Sequence, residues 1–289
     1  METKVQSVQA DTSVDEELAS LEASAKRVDD MNDTGVNVSF ISLASESCQA
    51  LDEDNAAMYI DGLKKGEFYI QSKKANLGKD LRVIPLAFIR VYNHYSDNGT
   101  TPRFIGTVSK ADGDRLPVLD FTFASGKKNF SVRDCGDGSV LKPSYWVPVL
   151  LPDYPDINDG VVTFKSTGNA VCKEWRKDVK AQGGLTASHV YVLGYQKMTS
   201  QANPKGWILI KPVFDHNLSE TGADGSVSYP DGKEIYASAL KQAVAIGGKE
   251  EKNQLFIPFA PASSAASPSA LASAAIEADS SELEDDQTF

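Results

Sequence analysis

Residues 82–93 read Arg-Val-Ile-Pro-Leu-Ala-Phe-Ile-Arg-Val-Tyr-Asn. Taken with period two, Val83, Pro85, Ala87, Ile89 and Val91 form an apolar face suited to a core. The even positions Arg82, Phe88, Arg90 and Tyr92 mix cations with aromatics. Working outward from this strand, residues 66–70, 103–108, 117–124, 144–151 and 161–165 are also β-prone, with a turn at Asp112-Gly113-Asp114. A helix follows: Ser166 or Thr167 can cap it, Val171, Trp175 and Val179 share one face, and Gly183-Gly184 ends it. Two further strands, 189–198 and 206–214, are joined by Asn203-Pro204-Lys205-Gly206, and a last helix spans about 232 to 246.

Two later strands repeat the division of the first. Val190, Val192, Gly194 and Met198 oppose His189, Tyr191, Leu193, Tyr195 and Lys197; Ile208, Ile210 and Phe214 oppose Trp207 and Lys211. Bases stack on aromatic rings and phosphates need cations, so a face mixing the two suits single-stranded nucleic acid. The candidate DNA-binding residues are Arg82, Phe88, Arg90, Tyr92, Tyr191, Tyr195, Lys197, Trp207 and Lys211. The opposing expectation is a sheet covered on both sides, with these aromatics packed in cores. Loop pairs such as Lys64-Lys65 and Lys73-Lys74 could line a groove for the backbone, or be ordinary solvated surface.

The chain has 289 residues and a net charge of −11, which at first argues against nucleic acid. Its distribution argues otherwise: residues 1–60 carry −10, residues 61–259 carry +5 and residues 260–289 carry −6, with 22 of the 25 aromatics in the basic centre. The expected organisation follows those boundaries. Residues 1–60 form an acidic, partly helical arm with a helix start at Ser13-Val14-Asp15-Glu16 and a weakly periodic segment over 40–63. Residues 61–259 form the binding core, and residues 260–289 a disordered linker and acidic tail. Cys48, Cys135 and Cys172 are odd in number and widely spaced, fitting a reducing cytoplasm better than a disulfide framework. No signal peptide or membrane span is visible. Phosphate loops, dinucleotide fingerprints, nucleophile motifs and metal-ligand spacings are missing, so no cofactor or metal is expected and binding is favoured over catalysis.

The tail begins with the Ala/Ser/Pro-rich run 261–268 and ends Glu284-Asp285-Asp286-Gln287-Thr288-Phe289. A terminal Phe can enter a small apolar pocket while the acids meet a basic rim. This tail, and the order of strands and helix, resemble the replicative single-stranded-DNA-binding proteins, especially those of bacteriophages. Bacterial members usually end Ile-Pro-Phe, where this chain has Gln-Thr-Phe. The resemblance implies a mainly β chain with helical additions: an OB-fold, a five-stranded Greek-key barrel with elaborated loops and a flexible acidic tail. In this alignment 82–93, 103–124, 161–165, 189–198 and 206–214 supply the five strands, with 144–151 as an insertion or extra strand. The implied function is to coat single-stranded DNA without sequence preference during replication, recombination and repair. Asp285, Asp286 and Phe289 would recruit a polymerase, helicase or transcription protein, in the host cytoplasm if the chain is viral. The alternatives are a structural or interaction protein, such as a virion component or a transcription accessory factor with an acidic docking tail, and a metal-dependent nuclease.

Overall fold

In the computed structural model, residues 18–22, 39–46, 48–96, 102–122, 128–199 and 206–250 are described, with backbone only at 121–122, 128–130 and 247–250. Asp285, Asp286, Phe289 and the helix start at 13–16 lie outside them. In chain order the main strands are β1 (Phe40–Leu43), β2 (Phe68–Ile70), β3 (Ala75–Gly78), β4 (Leu81–Pro85), β5 (Ile89–Ser96) and β6 (Arg103–Ser109). The short helix α1 (Lys110–Asp114) precedes β7 (Val118–Thr122), β8 (Lys128–Asp134), β9 (Val140–Leu150) and β10 (Asp159–Lys165). Helix α2 (Gly168–Gln182), β11 (His189–Met198), β12 (Trp207–Asn217) and helix α3 (Lys233–Glu250) complete the main elements.

The chain is mainly β. Twelve strands form one mixed sheet, ordered β12-β11-β4-β9-β10-β1-β2-β3, with β5 to β8 branching from β9. The organising strand is β9. It pairs with β4, β5, β8 and β10, so residues 144–151 are central to the sheet and not an insertion. Residues 103–124, expected to supply the second strand of a barrel, instead join 128–134 in hairpins added beside β5 and β9. Pro143 and Pro148 and burial on both faces hide β9 from a period-two reading. The described strands do not close into a barrel. The far edge of β10 is taken by β1, in parallel, with Phe40 opposite Val161.

Strands β4 and β5 are one strand with a bend. Ile84 pairs with Leu150 and Ile89 with Trp146, five steps on one strand against four on the other. The extra residue lies in 86–88, where only the Leu86 amide continues the ladder, donating to the Pro148 carbonyl. A one-residue excess exchanges the faces of a strand. Val83 therefore points to the inner core and Ile89 and Val91 to the outer one. Arg82 lies on the outer face and Arg90 and Tyr92 on the inner, so the uniform alternation expected over 82–92 breaks at the bend.

Each face buries its own core. On the inner side, Ile41, Phe68, Ile70, Val83, Val147, Val149, Val162 and Phe164 pack under Cys172, Trp175 and Val179 of α2. The Trp175 indole meets Phe88 and Tyr191 edge-on, at centroid distances of 5.3 and 5.5 Å. Helix α2 ends at Gly183 as expected, but Thr167 makes no side-chain cap. On the outer side, α3 lays Tyr236, Ala239, Leu240, Ala243 and Ile246 over Ile84, Leu86, Ile89, Val91 and Leu150. Apolar burial on this scale dominates the stability of such layers.

The acidic arm is tied to this body. Leu18, in a helical segment, is buried in the outer core, and Tyr236 donates a hydrogen bond to Glu22 at 2.8 Å. In the weakly periodic segment over 40–63, residues 40–43 are a sheet strand and Gln49–Leu51 a short 3-10 turn. Among the described residues no helix is long and apolar enough to cross a membrane.

Candidate nucleic-acid interface

The nine candidate residues separate into four groups. Phe88, Tyr92 and Tyr191 are core residues. Tyr191 donates to Asp178 at 2.9 Å, and its pKa is raised chiefly by burial. Tyr92 lies beneath Gly113, where a β-carbon would collide with the ring. As packed, none of the three offers a ring face to a base, which corrects the stacking role expected for them. Arg82 is also occupied: its guanidinium donates to Asp153 and Asp231 at 2.9 Å, and Asp215 stands 3.9 Å away. Asp231 lies two residues before the start of α3, so Arg82 ties that end of the helix to the sheet, its guanidinium engaged by carboxylates.

Tyr195, Lys197, Trp207 and Lys211 lie on the β11–β12 hairpin. Among the described residues no third strand pairs with the hairpin beyond Leu193, since β4 pairs with β11 at Tyr191, Val192 and Leu193. The register sets Tyr195 opposite Ile210 and Lys197 opposite Ile208, whereas Trp207 faces Met198 and Lys211 faces Gly194. Tyr195 and Lys197 thus share one side and Trp207 and Lys211 the other. Tyr195 is 43% exposed, and its ring rests on Gly66 in the Lys64-Lys65-Gly66 turn. The Trp207 indole Nε1 is buried and has no hydrogen-bond partner among the described residues.

A second set of aromatics, missed in the sequence, lies on the outer face, with Trp146 packed against the core under α3 and the others outside that core. The registers of β6, β5, β9, β10 and β1 place Phe104, Tyr95, Lys142, Trp146, Lys165 and Phe40 on that face. Phe104 is 53% exposed and Phe40 47%. Tyr95 meets Phe104 edge-on at 5.8 Å, and the Lys142 ammonium stands 5.6 Å from the Tyr95 ring centroid. Phe40 meets Trp146 edge-on at 5.2 Å. The strip crosses five strands, about 19 Å, and its registers carry it from the level of Val140 to that of Pro148, about 27 Å along β9. Two pairs of partly exposed rings with two ammonium groups between them can stack bases and neutralise phosphates. The even positions 142, 144 and 146 carried a signal, but Phe40 could be joined to them only by the β1–β10 pairing.

On the inner side of β5 the residues are cationic. Arg90 and Arg133 both donate to the Tyr92 hydroxyl, at 3.1 and 3.4 Å, and that hydroxyl donates to Asp114 at 2.6 Å. Despite partial burial, hydrogen bonds from Tyr92 and Lys110 and the Arg90 charge hold the Asp114 carboxyl below its usual range. Burial pushes the thiols of Cys135 and Cys172 up to about 11 and about 12, so both are protonated at neutral pH and make poor nucleophiles. Among the described residues no group of three or more His, Cys, Asp or Glu side chains could hold a metal ion.

A family model described as "Pam3 phage gp34-like protein" matches residues 9–252. No curated protein and no solved structure matches the chain.

Proposed function

The chain belongs to the Pam3 phage gp34-like protein family, and for this phage-family chain we propose a role in binding and coating single-stranded DNA without sequence preference. The observation that carries the reading is the outer strip: Phe104, Tyr95, Trp146 and Phe40, half-exposed or partly buried, interleaved with Lys142 and Lys165 on one sheet face. Tyr195, Lys197, Trp207 and Lys211 on the projecting hairpin extend the contact, with the rings stacking bases and the cations meeting phosphates. Asp285, Asp286 and Phe289 of the acidic tail recruit replication, recombination or repair proteins.

We further read the architecture as an opened OB-fold. Supporting this are the succession of the bent β4–β5 strand, β9, β10, α2, β11 and β12, and the pairing of the bent strand with both β9 and β11. In an OB barrel the last strand closes on the third; here β1 occupies that edge of β10.

The test is a titration of the full chain with oligo(dT), oligo(rU) and duplex, followed by gel shift and tryptophan fluorescence. Tight binding to single strands, quenching on oligo(dT), and a log–log salt slope of about −0.7 per phosphate neutralised are expected. Absence of quenching together with no shifted band overturns the reading and favours a structural or virion role.

A further inference from the structure

Arg90 is the one guanidinium of the inner cluster whose needs are not met within it. Arg133 donates to Asp114 and to the Leu116 carbonyl at 3.1 Å, as well as to Tyr92. Arg90, by contrast, donates through Nη2 to the neutral Tyr92 hydroxyl and lies 5.5 Å from the Tyr92 ring centroid. Its Nε is buried with no hydrogen-bond partner, and no carboxylate pairs with it among the described residues. Asp114, the nearby acid, is already shared by Tyr92, Arg133 and Lys110. Directly across the sheet from Arg90 is Tyr145, and the charges of Arg90 and of Arg176 on α2 both act on its hydroxyl.

A partly buried guanidinium with an orphaned donor costs stability unless an acceptor arrives. An oxyanion with several acceptor oxygens meets that need, because a guanidinium fork matches phosphate geometry and the bond is charge-assisted. We propose that Arg90, with Tyr145 and Arg176 beside it, forms a binding site for a single phosphate group between β5, β9 and α2. The site lies on the opposite face of β5 from Tyr95 and the aromatic strip, because Arg90 and Tyr95 are an odd number of residues apart on one strand. It does not depend on the nucleic-acid reading, since free phosphate, a terminal phosphate and a backbone phosphate present the same chemistry.

The experiment is a thermal-shift and calorimetric titration of the full chain with inorganic phosphate against sodium chloride of equal ionic strength. Wild type is expected to show a saturable upward shift. Arg90→Gln should bind phosphate at least about tenfold more weakly, with Arg90→Lys between the two. A circular dichroism spectrum and melting curve in chloride check that the variants fold. Tyr145→Phe, which leaves the charges in place, is expected to weaken binding less. Oligo(dT) with and without a 5′-phosphate then separates the sources. A gap between the two that Arg90→Gln closes marks a terminal phosphate. Equal weakening of both marks the backbone, and no effect on either marks free phosphate. No saturable shift of wild type at millimolar phosphate overturns the proposal, as does an equal shift in well-folded Arg90→Gln. A phosphate shift that persists while oligo(dT) fails to bind removes the nucleic-acid reading and leaves this site standing.

Discussion

The ring of Phe40 meets that of Trp146 edge to face, with centroids 5.2 Å apart. Phe40 comes from the acidic N-terminal region and Trp146 from the centre of the sheet, yet the parallel pairing of β1 with β10 brings them together. Because Phe40 is 47% exposed, replacing it disturbs little packing. Phe40→Ala is expected to melt near wild type and to bind oligo(dT) more weakly by about 1–3 kcal/mol, the worth of one stacked base. Fluorescence titration measures this, and unchanged affinity would remove Phe40 from the platform.

Arg82 leads to the opposite expectation. Its guanidinium is held by Asp153, Asp231 and, at longer range, Asp215. Arg82→Ala leaves those carboxylates facing one another and frees the start of α3. A loss of about 1–3 kcal/mol in urea unfolding is expected, with oligo(dT) affinity within about twofold of wild type. Weak DNA binding by a fully folded Arg82→Ala would restore the contact role.

These two residues show what the sequence made legible. The helix carrying Val171, Trp175 and Val179 was readable from its local period, its stop from Gly183, and the extended character of 82–93 from its β-prone residues, although one period does not run through that segment. The side to which Arg82 or Arg90 points was not, because it depends on one surplus residue visible only against the register of β9. The same limit applied to the hairpin. Tyr195 and Trp207 each sit in an alternating strand, but the pairing of β11 with β12 decides whether they share a face, and it places them on opposite ones. Burial of Tyr92 and Tyr191 required knowing that α1 and α2 cover them.

Gly66 offers a test of the hairpin's seat. Its φ is +81°, and a β-carbon there would lie 2.7 Å from Cε1 of Tyr195. Gly66→Ala must strain the turn and push the ring aside. A cost of about 1–3 kcal/mol is expected. Tyr195→Ala in the same background should recover part of it, and additive effects in that double-mutant cycle would mean that the ring does not rest there.

Buried acids set an alkaline limit. The thiols of Cys135 and Cys172 and the Tyr69 hydroxyl are all raised, the tyrosine to about 12, with burial the first cause for each. A group whose folded pKa exceeds its unfolded value contributes its full stability below the unfolded pKa and loses it as pH rises through the folded one. Stability from the thiols is therefore constant below about pH 9 and declines from there through 11 and 12. Denaturant melts from pH 7 to 11 measure this. Cys172→Ser should flatten the decline, and an unchanged slope would assign it to Cys135 and the tyrosines.

The bend at 86–88 has a consequence for how the molecule comes apart. Because β4 contributes Val83 to the core under α2 while β5 contributes Ile89 and Val91 to the core under α3, one continuous segment belongs to both. Neither layer can lose its order without loosening the strand that the other requires. The two layers are expected to melt as one cooperative unit, with near- and far-ultraviolet signals coinciding and a single calorimetric peak, although they share no helix.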